Sequence, residues 1–367
     1  MKIAIAGTRG IPNKYGGFEQ CAQYLSELLV QMGHEVTVYN THYHPWQKSM
    51  LGDVHIVKKF NPENTIGTAG NFIYDFLCMR HAVSTQTDVL LVLGYTTASV
   101  FYPLMRWKSA HLVTNMDGLE WKRDKWNGFI KRLAKWFEKL GANYSPWLIS
   151  DNPEIAAYLK KTYNRSSYCI AYGCNKFTHP DPDAIRPVKI KSDRYGVLIA
   201  RMEPENNIEM ALEGFAASDW DGELIVVGDT GTRYGKKMKA LKAGDGRIHF
   251  TGGIYDQELL NNLRYYSSFY IHGHSVGGTN PSLLEAMACG CLILMHGNNF
   301  NKSVTEGNAH SFVTAAGLTA LLNQWDQTIS RHGSFREGNY KLVSEKYNWK
   351  VIAEKYEACF REITGKK

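Results

Sequence analysis

The chain has 367 residues, 44% apolar and 21% charged, with no low-complexity tract and no repeat of fixed period. That length and balance exclude a disordered or fibrous chain and leave room for two globular domains, each with its own core. A net charge of +7 points to an anionic partner (phosphate, membrane surface or nucleic acid), while seven cysteines, odd in number and without CxxC spacing, argue against a disulfide framework and a structural zinc site.

The opening MKIAIAGTRG reads as a short strand ending in glycine, not as a secretory leader, and no uncharged apolar run long enough to span a bilayer follows. The chain is therefore expected in the cytoplasm. KIAIAG is a strand, TRGIPNKYGG a glycine-rich loop, FEQCAQYLSELLVQM a helix and EVTVYN a second strand. Phe18, Cys21, Ala22, Leu25, Leu28, Leu29 and Met32 recur at three and four, the stripe of a helix lying on a sheet, and Gly33 suits its end. Strand-like runs follow at 54–57, 89–93, 110–114 and 147–150, with helical patterns between them, which favours a parallel doubly wound sheet.

The stretch 175–191 gathers Pro180, Pro182 and Pro187 among charges and reads as a boundary. A second α/β series begins after it. Its expected strands are 196–200, 224–228, 248–250, 269–272 and 291–295, and its expected helices 208–217, 236–243, 257–266 and 281–288. The predicted domains are 1–176 and 177–345, with 346–367 a separate amphipathic helix.

Several residues carry candidate chemistry. Gly16 and Gly17 lie between the first strand and its helix, where backbone must approach a ligand or adopt positive φ. The loop lacks GxGxxG spacing, which weakens a dinucleotide-oxidoreductase reading. Arg201 follows a buried-type strand directly, so its guanidinium emerges at the carboxyl edge and suits a diphosphate; the alternative is a surface arginine paired with Glu203 or Glu205. Asn280-Pro281 reads as N-cap and first helical residue, which aims the N–H groups of Ser282 and Leu283 at the loop Gly277-Gly278-Thr279, as for a phosphate. Glu285, one turn on, is suited to a ribose hydroxyl pair, and as a buried carboxylate it needs such donors or a neighbouring cation. Asp117 follows another strand and could orient a hydroxyl, although Asp-Gly is equally a turn pair.

The segment 122–140 holds seven basic residues against Asp124 and Glu138, with Trp126, Phe129, Ile130, Leu133, Trp136, Phe137 and Leu140 as one helical stripe. Such a helix can lie on an anionic bilayer or dock on its own sheet with a solvated basic face. Aromatics confined to one helix make no recognised nucleic-acid module, so nucleic acid is not an expected partner.

Taken in order, YGGFEQCAQYLSELLVQMGHEVTVYN, IAYGCN, ARMEPENNIEMAL, VVGD, TGGIYDQELLNNL and NPSLLEAMACGCLIL make the chain resemble the family-four retaining glycosyltransferases of the GT-B fold over nearly its whole length. Within that family, GTRGIPNKYGGFE, NMDGLEWKR and GGTNPSLLEAM look most like bacterial rhamnosyltransferases that build capsule or O-antigen repeat units. The resemblance implies an α/β GT-B chain of two facing Rossmann-like doubly wound domains with a C-terminal crossover helix. Residues 1–176 would bind the acceptor, 177–345 the nucleotide sugar, and 346–367 would pack back on the first domain. Gly16 and Gly17 would lie beside acceptor and donor phosphate, Arg201 would grip the diphosphate and Glu285 the ribose. Gly228, Ile254, Gly278, Thr279, Asn280, Ser282 and Leu283 would complete the donor site, with Asp117, Arg201 and Asn206 as the catalytic group. Asn206 stands where a lysine is usual, Gly277 where a second carboxylate is usual, and Asp117 where many relatives carry histidine.

The resemblance thus implies an enzyme at the inner face of the cell membrane that moves a sugar, L-rhamnose from dTDP-rhamnose, to a hydroxyl of a lipid-linked oligosaccharide with retention. No metal and no cofactor beyond the nucleotide sugar is expected; Arg201 and the helix end at Ser282 would stabilise the leaving diphosphate, whose oxygen would take the acceptor's proton. Two other classes stay open: a catalytically silent nucleotide-sugar-binding or scaffold protein, and a nucleotide-sugar epimerase of the same architecture.

Overall fold

The structure is a computed structural model that describes residues 1–14, 16–105, 107, 110–123, 126–192, 194–241 and 244–366. It divides into two compact units. Unit 1 comprises Met1–Trp121, Gly128–Gly173 and Trp349–Lys367; unit 2 comprises Lys122–Asn127 and Cys174–Asn348.

Unit 1 carries β1 (Lys2–Ala6), β2 (Glu35–Thr41), β3 (Met50–Leu51), β4 (Val54–Lys59), β5 (Val89–Leu93), β6 (His111–Asn115), β7 (Trp147–Ser150) and β8 (Tyr168–Cys169) in one sheet of order β3-β4-β2-β1-β5-β6-β7-β8. All pairings are parallel except β3 with β4. Strands covered on both faces read as continuous apolar runs, and every side chain of VLLVL in β5 is buried. The helix Gly17–Gln31 buries Cys21, Ala22, Leu25 and Leu29 on the expected stripe. The last helix, Trp349–Thr364, belongs to this unit: Trp349 stacks on Tyr24 with ring centroids 5.0 Å apart, and His34 Nε2 lies 3.0 Å from the Glu357 carboxylate. Burial pulls the His34 imidazole below its ordinary pKa, and the Glu357 hydrogen bond opposes that shift.

One expectation is corrected here. The helix Gly128–Tyr144 turns Ala134, Phe137, Glu138, Gly141 and Ala142 inward, so the expected stripe is split, with only Phe137 of it buried. Phe137 packs on Phe72 at 5.6 Å, whereas Phe129 and Trp136 stay 71% and 51% exposed. The preceding turn is fixed by Lys135, whose ammonium lies over the rings of Trp121, Tyr158 and Tyr163 and bonds to Glu138 at 2.8 Å. Asp124 and Lys125 of the basic segment lie outside the described residues.

Unit 2 carries β9 (Tyr195–Ile199), β10 (Glu223–Val227), β11 (Ile248–Gly252), β12 (Phe269–His272), β13 (Ile293–His296) and β14 (His310–Phe312), all parallel in the order β11-β10-β9-β12-β13-β14. Leu198, Phe215, Leu224, Phe269 and Leu294 are among the residues of its core. At Gly196 a Cβ would stand 2.1 Å from the ring of Phe269, its partner in β12, so glycine lets that ring lie across the strand. The strand expected at 291–295 is Ile293–His296; the Cys291 N–H still donates to the Ala286 carbonyl of the preceding helix at 3.1 Å. The helix expected at 236–243 is Arg233–Leu241, and Lys242 and Ala243 lie outside the described residues.

Strand order fixes where each unit can hold a ligand. From β9 the chain winds outward through β10 and β11, then returns to β12 on the other side and continues to β13 and β14. The loops leaving β9 and β12 therefore diverge and open a crevice at the carboxyl edge, as do those leaving β1 and β5 in unit 1. Among the described residues no helix is long and apolar enough to cross a membrane.

Candidate functional site

The two loops bordering the unit 2 crevice are tied to each other. Asn206 Nδ2 donates to the Arg201 carbonyl at 2.7 Å and so closes the loop after β9 on itself. Asn207 Nδ2 donates to the Gly273 carbonyl at 2.8 Å, and the backbone N–H and hydroxyl of Ser275 both donate to the Glu205 carbonyl, at 3.0 and 2.9 Å. The approach is close enough that a Cβ at Gly273 would stand 2.2 Å from the Asn206 carbonyl oxygen. Arg201 and Asn206 thus come together with the loop 273–280, but in different roles. The Arg201 side chain is 68% exposed, with Nη2 3.6 Å from Glu203, a weak screened contact that leaves it available to an anion. Asn206 is buried, and its amide shapes the loop. Arg123 adds a second guanidinium, 3.6 Å from Glu205 and 3.8 Å from Glu203.

At the helix Pro281–Ala288 the local expectation needs a correction. Asn280 is its N-cap, yet the Ser282 N–H donates to Asn280 Oδ1 at 2.9 Å and the Leu283 N–H to the Asn280 carbonyl at 3.0 Å. Both groups assigned to a phosphate are held by the cap itself. An anion there would act on the helix dipole or displace the Asn280 side chain. Thr279 and Leu283 are buried and Gly278 half-buried.

Glu285 has a partner that sequence reasoning missed. Arg264, on the helix Gln257–Tyr266, is fully buried and its Nη2 donates to Glu285 Oε2 at 2.6 Å and to Ser282 Oγ at 3.1 Å. Ser282 Oγ lies 2.7 Å from the Tyr270 hydroxyl, which extends the polar chain to β12. Burial alone would lower the guanidinium's pKa, but the Glu285 carboxylate holds it above its ordinary value. A signal was present: Arg264 falls four residues after Leu260 and directly after Leu263, on the buried face of its helix, where a cation demands a carboxylate.

The remaining donor-site expectations fall around this edge. Gly228 directly follows β10, where a Cβ would stand 2.3 Å from the Ala200 carbonyl oxygen, and Ile254 is half-buried in the loop after β11, two strands from β9. Two Asp-x-Asp pairs, Asp181/Asp183 and Asp219/Asp221, lie in this unit. Asp181 caps the turn Pro182–Val188, Asp183 pairs with Arg186, and the Asp219 backbone N–H donates to Asn323 Oδ1 at 2.9 Å.

In unit 1, Gly16 precedes the helix Gly17–Gln31 with φ −169°, extended backbone open to any residue, and a Cβ there would meet only Glu19 at 3.5 Å. Of the two reasons offered for glycine, positive φ falls away and ligand approach remains. The positive-φ glycines of this loop are Gly7 and Gly10. Asn40 braces it, accepting from the Ile11 N–H at 3.0 Å and donating to the Ile11 carbonyl at 2.8 Å. Asp117 is half-buried after β6, and its charge reaches the buried Cys21 thiol, pushed up to about 12 first by burial and then by Asp117. Beside the loop after β5 a further acid was missed: Asp75 is buried, accepts from the Thr97 hydroxyl and is pushed up to about 7 by burial, which that hydrogen bond opposes.

Residues 182–327 match the family profile described as Glycosyl transferases group 1, and residues 1–175 match a Domain of unknown function (DUF1972). An uncharacterized glycosyltransferase, MJ1069 of Methanocaldococcus jannaschii, is 26% identical over 157 residues, which is 39% of this chain and 37% of that relative's length. Among solved structures, sucrose-phosphate synthase from Thermosynechococcus elongatus superposes with a TM-score of 0.80 at 16% identity, covering 100% of this chain and 99% of that one. Anabaena Alr3699/HepE in complex with UDP-glucose gives 0.71 at 13% identity over 98% and 99%. WaaG, a glycosyltransferase involved in lipopolysaccharide biosynthesis, gives 0.69 at 15% identity over 99% and 100%. Residues 182–327, most of unit 2, are thus a segment of the group 1 glycosyl transferase type, and the chain, with its two Rossmann-like parallel sheets, has the GT-B fold.

Proposed function

We propose that the chain transfers a sugar from a nucleotide diphosphate sugar, held at the unit 2 crevice, to a hydroxyl of an acceptor, with retention at the anomeric carbon. The observation that carries this reading is the exposed Arg201 guanidinium at the switch point of the segment that matches the group 1 glycosyl transferases. A charge-assisted bond of that kind contributes about 1.5–3 kcal/mol and grows as the leaving diphosphate gains charge. Glu285, fixed by Arg264, takes the ribose hydroxyls, and the Asn206 amide holds the Arg201 loop in shape. The neighbour HepE was solved with UDP-glucose, which supports a nucleotide sugar as donor.

L-Rhamnose from dTDP-rhamnose, and a lipid-linked oligosaccharide as acceptor in surface polysaccharide synthesis, follow from the resemblance of GTRGIPNKYGGFE, NMDGLEWKR and GGTNPSLLEAM to bacterial rhamnosyltransferases. A peripheral site of action at the inner face of the cell membrane is supported by the helix Gly128–Tyr144. Phe129, Arg132, Trp136 and Lys139 are all exposed at spacings of three and four, one helical face of alternating aromatic and cationic groups.

The test is a nucleotide-sugar screen by mass spectrometry with a lipid-pyrophosphate-glycan acceptor. Arg201→Ala is expected to lower kcat/KM by about 10- to 150-fold while the chain stays folded, and Glu285→Ala to lower it at least as far with a loss of stability as well, because it strands the buried Arg264 guanidinium. Wild-type turnover in both variants would remove the donor site from this place. Binding without turnover across all donors would instead favour a nucleotide-sugar-binding protein. Phe129→Ser with Trp136→Ser should release the chain from anionic vesicles, and unchanged vesicle binding would refute the membrane face.

A further inference from the structure

At the carboxyl end of β12 two imidazoles lie face to face. His272 and His274 stack with ring centroids 4.4 Å apart and planes 13° from parallel. His272 is fully buried; its Nδ1 is 3.5 Å from the Tyr270 hydroxyl, at the limit of a hydrogen bond, and its Nε2 is enclosed with no partner among the described residues. His274 is half-buried, and its Nδ1 is likewise enclosed and without a partner among them. What fixes His274 is its backbone: the carbonyl accepts from Asn298 Nδ2 at 2.8 Å and from Asn301 Nδ2 at 2.9 Å.

This is an unusual way to hold histidines. A histidine that serves only to fill a core pairs its ring nitrogens, because an enclosed polar atom without a partner is unfavourable. Here two neighbouring rings leave nitrogens unsatisfied at the strand end that borders the crevice. Both rings are kept neutral. Burial, then the charges of Arg201 and Arg123, pulls His274 down to about 3, against the opposing charge of Glu203. Burial, then His274, Arg264 and His296, pulls His272 far down as well. Nδ1 of His274 is enclosed, and a neutral ring offers one N–H, which leaves Nε2 as the nitrogen to serve a ligand. Beside two guanidinium groups, a neutral N–H adds a hydrogen bond to an oxyanion without adding the mutual repulsion that a third cation would bring.

We propose that His274 contacts the donor: its Nε2–H donates to an oxygen of the diphosphate of a nucleotide sugar held beside Arg201, and the buried His272 ring backs it as a stacking platform. This rests on the assignment of the unit 2 crevice as the donor site.

The experiment is isothermal titration of the full chain with UDP, GDP, ADP and dTDP, continued with whichever binds most tightly. His274→Phe keeps the stack and removes both nitrogens, and is expected to weaken that nucleotide about ten-fold. His274→Gln, whose amide N–H reaches about as far as Nε2, should return within about two-fold of wild type, whereas His274→Asn, which reaches only as far as Nδ1, should not. Wild-type affinity in His274→Phe, or equal weakening in the Gln and Asn variants, overturns the contact while leaving the donor-site assignment standing. Should His274→Phe fail to fold, the Gln and Asn pair decides alone. A wild-type chain that binds none of the four nucleotides sinks the donor-site assignment and this contact with it.

Discussion

Arg264→Leu removes a guanidinium that is 1% exposed and leaves the Glu285 carboxylate, 16% exposed, facing the space it vacated. Hydrogen bonds to Glu285 at 2.6 Å, Ser282 at 3.1 Å and Asn261 at 3.3 Å go with it. Breaking one side of a buried pair costs about 3–5 kcal/mol, because the charge left behind loses its buried counter-ion. Glu285 keeps some water, which places the expected loss near the lower end, about 3 kcal/mol. At about 2–4 °C per kcal/mol for a domain of this size, the calorimetric melting of unit 2 should fall by about 6–12 °C. Amides of β12 that exchange only on full opening should exchange on the order of a hundred-fold faster, read by mass spectrometry. The double variant Arg264→Leu/Glu285→Leu should recover at least half of the loss, since two apolar side chains need no mutual compensation. A single-variant loss under about 1 kcal/mol, or a double variant weaker than the single, would refute the view that Arg264 is the cation that makes a carboxylate tolerable in that helix.

Gly273→Ala places a methyl 2.2 Å from the Asn206 carbonyl oxygen, a backbone atom that cannot swing away. At a cost of about 1–3 kcal/mol it should push the loops after β9 and β12 apart and weaken nucleotide binding about ten-fold; unchanged binding in titration would mean the close approach is irrelevant to the site. Asp75 holds its proton to about pH 7 in the folded chain against an ordinary value of 3.8. The folded state therefore binds more protons across that window, so stability falls as pH rises from about 4 to about 7 and is level above it. Asp75→Asn should remove that fall, worth at most about 4 kcal/mol at about 1.4 kcal/mol per unit, and parallel denaturation curves of the two proteins from pH 5 to pH 8 would contradict it.

Much of this was legible from neighbouring residues alone. The strands Val89–Leu93, Trp147–Ser150 and Phe269–His272 and the helices Gln257–Tyr266 and Pro281–Ala288 have the bounds expected of them. Each is a buried run or an apolar stripe ended by its own cap. The Asn-Pro start of the helix Pro281–Ala288 was read correctly as a cap, and its consequence was not: a cap that satisfies Ser282 N–H also withholds it from a phosphate. On the helix Gly128–Tyr144, hydrophobicity named the aromatics but not their direction. Phe137 meets Phe72 and is buried, whereas Trp136 only edges onto Phe137 from outside and Phe129 stays exposed.

Sequence by itself determined the alternation of strands and helices, the family resemblance and the carboxyl-edge position of Arg201, because periodicity, caps and strand ends are settled within a few residues. Tertiary structure decided which of these groups are spent and which remain open to a ligand. Arg264 meets Glu285 across 21 positions, and Asn207 meets Gly273 across 66. Such pairings depend on the order in which strands enter the sheet, and that order is fixed only when distant apolar runs are buried together.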